Sequence, residues 1–227
     1  MQIMVKPKRV TIFAGHYGSG KTNIAVNYAI RIKQNGYPVK IGDMDIVNPY
    51  FRTKDSAKEL EEAGIELISP AYANSNVDLP ALPQQLYALV WDKTYYAVLD
   101  VGGDDRGAYA LGRYADFIKE ENDYEMVFVA NFFRPLTPDA DSAIEVMREI
   151  EEACKIKFTA VVNNSNLGNL TTAQDVESTF EKARELCEKT GLPLLFTSAT
   201  EEVSKNLNAD DTFAMTLQKK YFDIKEI

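Results

Sequence analysis

The stretch FAGHYGSGKTN, residues 13 to 23, decides the fold. It follows the apolar run VTIFA at 10–14 and leads into a helical pattern. In that pattern Ile24, Ala25, Tyr28, Ala29 and Ile32 form one stripe, and Gly36 and Pro38 end it. Within the stretch, Gly15, Gly20, Lys21 and Thr22 fit the template G-x-x-x-x-G-K-[ST]. Between a strand and a helix, this pattern cradles polyphosphate. Glycines let the backbone curl until several N–H groups converge on the anion. The positive end of the following helix adds to the field. Lys21 is then placed to reach the β and γ phosphates, and the Thr22 hydroxyl to ligate Mg²⁺. Gly15, His16, Tyr17, Gly18, Ser19, Gly20, Lys21, Thr22 and Asn23 are the candidate contacts to the nucleotide.

Further apolar runs follow the same plan: VKIGD at 39–43, YAVLD at 96–100, MVFVA at 126–130, FTAVV at 158–162 and PLLF at 193–196. They are continuously apolar rather than alternating, which suits strands covered on both faces. Helical patterns separate them. One starts at Thr137–Pro138 and carries Ala140, Ala143, Ile144, Met147 and Ile150; another opens with Thr171 and Gln174 in capping-box spacing and ends before Gly191. Near the C-terminus, Phe213, Leu217 and Tyr221 stand at the spacing of a core-packed helix. Segment 69–85 is rich in Pro, Asn and Ala and reads as an excursion. The alternation predicts an α/β three-layer sandwich with a mostly parallel sheet, in one domain over residues 1–227.

The formal charge of -9 disfavours nucleic acid and anionic membrane as partners, since both are bound by basic faces. No apolar run is long enough for a membrane span, and MQIMVKPKRV is too basic for a signal peptide. Cys154 and Cys187 stand far apart in no metal-ligand spacing, and Cys187 falls on an apolar helix face with Val176, Phe180 and Ala183. The expected setting is cytoplasmic.

Phosphate chemistry also needs acidic groups, and two strand ends offer them. YAVLD places Asp100 where a strand-end aspartate holds Mg²⁺, and DVGG then puts Gly103 in a D-x-x-G turn suited to sensing a γ phosphate. Beyond the second strand, GDMDIVNPYFRT at 42–53 carries Asp43 and Asp45, a carboxylate pair placed for Mg²⁺ and the attacking water. Arg52, Arg106 and Arg134 each follow a strand end and could neutralise transition-state charge.

Together, the phosphate loop, the D-x-D after the second strand and the D-x-x-G strand end resemble the SIMIBI class of P-loop NTPases, and more closely the MinD/ParA/nitrogenase-iron-protein group. The resemblance spans roughly residues 10 to 200. It implies that Asp45 positions the hydrolytic water, that Asp100 is the Walker-B aspartate, and that Asn164, with Asn163 beside it, contacts adenine. The loop FTSATEEV, 196–203, resembles the segment that closes over the base. A guanine-reading N-K-x-D motif would put Lys and Asp where this chain has Asn164 and Asn166, which favours ATP over GTP. One departure stands out. The second loop position, where that group carries a lysine reaching across a nucleotide-sandwich dimer, is His16. A histidine there supplies no fixed positive charge near neutral pH. The residue reads equally as a dimer-interface or phosphate-sensing group and as a solvent-facing one.

The expected function is a Mg²⁺-dependent ATPase that acts as a nucleotide-controlled switch on an unidentified protein partner, with a nucleotide-dependent homodimer implied by the resemblance. ATP would order segments 44–54 and 101–107. Other readings compatible with the same loop are a small-molecule kinase or ATP-dependent ligase, a metallochaperone NTPase, and a module that holds ATP without turning it over.

Overall fold

The computed structural model describes residues 6–44, 56–69, 84–103, 105–209 and 211–218; the side chains of Gln84, Asp105 and Arg106 are not among what it describes. In chain order these residues form β1 (Val10–Ala14), α1 (Lys21–Gln34), β2 (Val39–Met44), α2 (Ala57–Glu62), β3 (Glu66–Ile68) and α3 (Gln84–Trp91). Next come β4 (Tyr96–Val101), α4 (Asp105–Gly112), α5 (Ala115–Glu121), β5 (Tyr124–Ala130), α6 (Ala140–Cys154) and β6 (Ala160–Asn163). The last are α7 (Ala173–Glu177), α8 (Phe180–Thr190), β7 (Leu194–Thr200), α9 (Glu201–Ser204) and β8 (Thr212–Met215).

The strands make one sheet of order β3-β2-β4-β1-β5-β6-β7-β8. Every neighbouring pair in it is parallel. Successive residues of a strand point to opposite faces, so β1 sends Ile12 to one side and Phe13 to the other. Phe13 joins Ile24, Ala29 and Ile32 of α1 and Leu60 of α2. Ile12 belongs to the opposite layer, with Leu89 of α3, Leu111 of α4, Ile118 of α5, Met147 of α6 and Leu186 of α8. The expected α/β three-layer sandwich is thus observed. The chain turns one way from β1 to β2 and the other way from β5 onward, so a crevice opens at the carboxyl end of β1.

Several element boundaries differ from the sequence expectation, each for a local reason. α6 starts at Ala140 because Asp139 caps it, its carboxylate accepting from Ser142 N at 2.9 Å. The Thr137 hydroxyl instead donates to Asn131 O at 2.8 Å. The capping box is built by Thr172 and Asp175, one residue later than expected, and the helix that follows breaks at Ser178–Thr179 into α7 and α8. The expected C-terminal helix is a strand through Met215, β8, in which Phe213 and Met215 point into the core at strand spacing. Tyr221 lies outside the described residues, as does most of 69–85. β3 and β8, the two sheet edges, have no counterpart in the expectation. Cys154 is buried and Cys187 half-buried against the core, both free, and burial pushes both thiols above their usual pKa.

At the amino edge of the sheet a buried ion pair fastens three elements. The Arg9 guanidinium, 6% exposed, donates to Val90 O at 2.5 Å and Asp92 O at 3.3 Å, closing the C-terminal end of α3. It also grips Glu121 of α5 with both prongs, Nη2 to Oε2 at 2.7 Å and Nε to Oε1. Breaking such a pair leaves one charge buried and unmatched, whereas replacing both partners with apolar groups costs far less. Arg9→Met is expected to lower the unfolding free energy by about 3–5 kcal/mol in urea titration, and Arg9→Met/Glu121→Leu to recover most of it. A loss under about 1 kcal/mol in the single variant would mean the pair is solvated and fastens nothing.

Candidate functional site

The loop between β1 and α1 is a compact turn. Ser19 N donates to His16 O at 3.1 Å, and Gly20 caps α1 in the left-handed region at φ 86°. Lys21 opens the helix at only 6% exposure and turns its Nζ back to His16 O at 3.2 Å. The His16 ring lies on its own chain, Nδ1 at 2.9 Å from Tyr17 O, while the Tyr17 ring is exposed. Thr22 follows in the first turn of α1 and is half-buried.

The turn after β4 presses against this loop. A Cβ added to Gly103, just past β4, would stand 2.5 Å from Tyr17 N and 2.8 Å from Lys21 Nζ, so only glycine fits. The D-x-x-G turn therefore sits directly beside the loop lysine. Asp43 of β2 and Asp100 of β4 occupy the same register on neighbouring strands and are 2% and 1% exposed. Asp45 lies outside the described residues, and so does Arg52. Among the described residues no group of three or more His, Cys, Asp or Glu gathers as a metal cluster. The candidate donors on these elements, the Asp43 and Asp100 carboxylates and the Thr22 hydroxyl of α1, are hard oxygens. They suit Mg²⁺, which takes few protein ligands and keeps water and phosphate oxygens for the rest.

Under the loop lies a buried polar layer that the sequence analysis did not foresee. Asn164 donates from Nδ2 to Ser19 O at 2.7 Å and accepts at Oδ1 from Ser198 Oγ at 2.6 Å and Asn166 Nδ2 at 3.2 Å. Asn163 donates to Thr179 Oγ1 at 2.9 Å and accepts from Ser165 Oγ at 2.7 Å. Both asparagines are 0% exposed, and their amides are spent on the frame of the site. The run Asn163–Asn166 at a strand end was the visible signal; what it could not reveal was which side of the backbone the amides would face. Gly20 and Asn164 are in such close contact that a Cβ on Gly20 would meet Asn164 Nδ2 at 2.3 Å.

Beyond the carboxyl ends of β6, β7 and β8 opens a cleft of about 760 Å³ lined by Gly168, Thr172, Thr200, Glu202, Asn206 and Leu217, among others. The segment 196–203, which the resemblance assigns to the base, contributes Thr200 and Glu202 to this wall. Asn23 faces elsewhere: its Oδ1 accepts from Gln218 N at 2.8 Å, while Asn27 exchanges two hydrogen bonds with the Thr216 backbone. Of the arginines, Arg134 brings its guanidinium against Gly18 of the loop.

No family model matches the sequence, and no curated protein matches it. Solved structures do share its fold. FtsY from Thermotoga maritima superposes with a TM-score of 0.57 at 16% identity, over 88% of this chain and 64% of that one. FtsY from Mycoplasma mycoides gives 0.57 at 19% identity, over 89% and 64%. The signal recognition particle 54 kDa protein from Aeropyrum pernix K1, in complex with GDP, gives 0.52 at 16% identity, over 86% and 42%. The chain spans less than two thirds of the length of each. These likenesses show the fold, which this chain shares with those proteins; the likeness to SIMIBI-class NTPases and the MinD/ParA group rests on the sequence motifs.

Asn164→Ala removes the donor to Ser19 O and the nearer of two acceptors for Ser198 Oγ, which keeps Asn163 O at 3.3 Å, in a layer that excludes water. Each orphaned buried group costs about 1–3 kcal/mol. The variant is expected to lose at least about 2 kcal/mol in urea titration, and Asn166→Ala, at a half-buried position, to lose less. Equal losses would show that Asn164 does not hold the loop.

Proposed function

We propose that this chain is a Mg²⁺-dependent nucleoside triphosphatase working as a nucleotide-controlled switch on a protein partner, with ATP as its nucleotide. The observation that carries this reading is the convergence of Lys21, Gly103 and the Asp43–Asp100 pair at one carboxyl edge. Loop N–H groups and Lys21 bind the phosphates. Thr22 and Asp100 hold the metal, with Asp43 beside them, and Asp45 orients the water. Bound there, Mg²⁺ would neutralise charge on the β and γ phosphate oxygens. The segments 44–54 and 101–107 leave β2 and β4 next to this position, so contacts to a γ phosphate would hold both and reshape the surface a partner reads. A nucleotide-dependent homodimer is part of the same proposal, with His16 and Tyr17 on its interface.

The base is read from Asn166, which stands where a guanine-reading loop needs a carboxylate. Its Nδ2 donates to Asn164 O at 2.9 Å, and its Oδ1 accepts from Gly168 N at 3.1 Å. An amide cannot accept two hydrogen bonds from guanine as a carboxylate does, which favours adenine. GTP is the second reading, supported by the GDP complex of the structurally similar signal recognition particle protein.

Competition against a fluorescent ADP tests both. Wild type is expected to bind, Lys21→Ala to lose affinity by roughly a hundredfold, and ATP to displace the probe at least tenfold better than GTP. Preference for GTP would overturn the choice of base and leave the phosphate site standing; absence of binding would overturn nucleotide binding altogether. For the switch, Asp45→Ala should bind ATP without clearing it. Light scattering after gel filtration is expected to show that variant as a dimer with ATP and Mg²⁺, and the wild type as a monomer with ADP. A mass unchanged by nucleotide would remove the dimer and move the weight to a kinase or ligase acting on a small molecule.

A further inference from the structure

Arg134 lies in the turn NFFRPLT, 131–137, between β5 and α6. That turn is fastened throughout. Phe132 N donates to Ser165 Oγ at 3.0 Å, Phe133 N to Asn131 Oδ1 at 3.1 Å, and Arg134 N to Asn131 O at 3.1 Å. Thr137 N returns to Arg134 O at 3.1 Å, and Asn131 Nδ2 reaches Asn166 O at 3.3 Å. Asn131, Phe132 and Thr137 are buried while the Arg134 side chain is exposed. A flexible cation is thus carried on a backbone that has no freedom to swing away.

The guanidinium lies across the phosphate loop. A Cβ on Gly18 would stand 3.4 Å from Arg134 Cζ and Nε, and 3.7 Å from Nη1. Three groups ring loop residues 16–18: Lys21 Nζ at His16 O, Gly103 against the Tyr17 backbone, and Arg134 at Gly18. Among the described residues no carboxylate forms an ion pair with Arg134. In a chain of net charge -9, a lysine, an arginine and the positive end of α1 are gathered against one loop, so the Arg134 guanidinium adds to a field that favours an anion there.

We infer that Arg134 is a catalytic residue supplied by this chain itself, donating to the terminal phosphate of the bound nucleoside triphosphate. The inference rests on the nucleotide-binding reading above and deepens it. The planar guanidinium offers two parallel N–H donors that match phosphate oxygens. In hydrolysis the water oxygen bonds the γ phosphorus while the bond to the bridging oxygen breaks, its electron pair staying on the β phosphate and the water proton passing to phosphate or solvent. Arg134 neither gains nor loses a proton. It stabilises the charge spread over the γ oxygens as they part from the β phosphate, and so needs no cation from a second copy for that task.

The test compares wild type, Arg134→Ala, Arg134→Lys and Lys21→Ala for binding of a fluorescent ADP, its displacement by a non-hydrolysable ATP analogue, and turnover at saturating nucleotide. Thermal melts on each confirm the fold. Arg134→Ala is expected to bind ADP within about threefold of wild type, to lose roughly tenfold or more in affinity for the triphosphate analogue, and to lose at least about a hundredfold in kcat. Arg134→Lys should fall between, and added guanidinium ion should restore part of the Arg134→Ala turnover. Equal losses for ADP and the triphosphate, or a kcat within threefold of wild type, would overturn the role of Arg134. If wild type binds and Lys21→Ala does not, the nucleotide reading survives that outcome; if wild type binds neither ligand, both fall.

Discussion

The carboxyl edge of the sheet depends on one hydrogen bond, from Asn164 Nδ2 to the Ser19 carbonyl at 2.7 Å. A loop that turns its N–H groups toward a ligand must turn carbonyls the other way, into the protein, where each needs a donor. Asn164 supplies that donor at 0% exposure. Its orientation is fixed in turn, because Oδ1 accepts from the Ser198 hydroxyl and from the Asn166 amide and a flipped amide would lose both. The contact is also steric: with Asn164 pressed on Gly20, neither the amide nor the loop can shift without the other. The loop is therefore preorganised before any ligand arrives, which spares the binding step the entropy of ordering it.

The sheet order divides the edge into two halves of different chemistry. On one side of β1, strands β4 and β2 end in carboxylates, Asp100 and Asp43. On the other, β5, β6 and β7 end in amides and hydroxyls, from Asn131, Asn163, Asn164, Ser165 and Ser198, all buried. The loop hangs from β1 between them. A neutral frame on one flank holds position without adding charge, so it does not offset the field of Lys21 and the start of α1. The acidic flank is where the proposed cation and water would have their place. Had the carboxylates stood beneath the loop instead, they would have opposed the anion the loop is shaped to hold.

How much of this could be seen in the sequence varied with the strength of the local signal. The phosphate loop and the central strands were legible because parallel strands buried on both faces are continuously apolar, and β1 matches VTIFA residue for residue. The stripe of α1 was legible as well, with Ile24, Ala25, Tyr28, Ala29 and Ile32 all buried. The edges were not. In β8 the pair Phe213 and Met215 has strand spacing, while Phe213 and Leu217 have helical spacing, and four residues of strand are too few to decide between the two periods. Tertiary pairing with β7 decided it. The polar layer was legible only as a run of asparagines. Its partners, Ser19 and Ser198, are 145 and 34 residues away, a distance no local pattern spans.

Those same edges explain how the far end of the chain reaches the site. After β8 the backbone runs alongside α1. Thr216 exchanges two hydrogen bonds with Asn27, and Gln218 N donates to Asn23 Oδ1, one residue past Thr22. Gln218 Nε2 then donates to Ser56 Oγ at 2.6 Å, the residue that precedes α2. Gln218 thus bridges α1 and the residue that precedes α2. Ser56 is 4% exposed, so water does not readily replace that bond if it breaks. Any displacement of Ser56 relative to α1 must either drag the 216–218 backbone, held at three points by α1, or give up the bond to Gln218. The stretch that follows the strand local periodicity could not identify is, for that reason, what ties α1 to the start of α2.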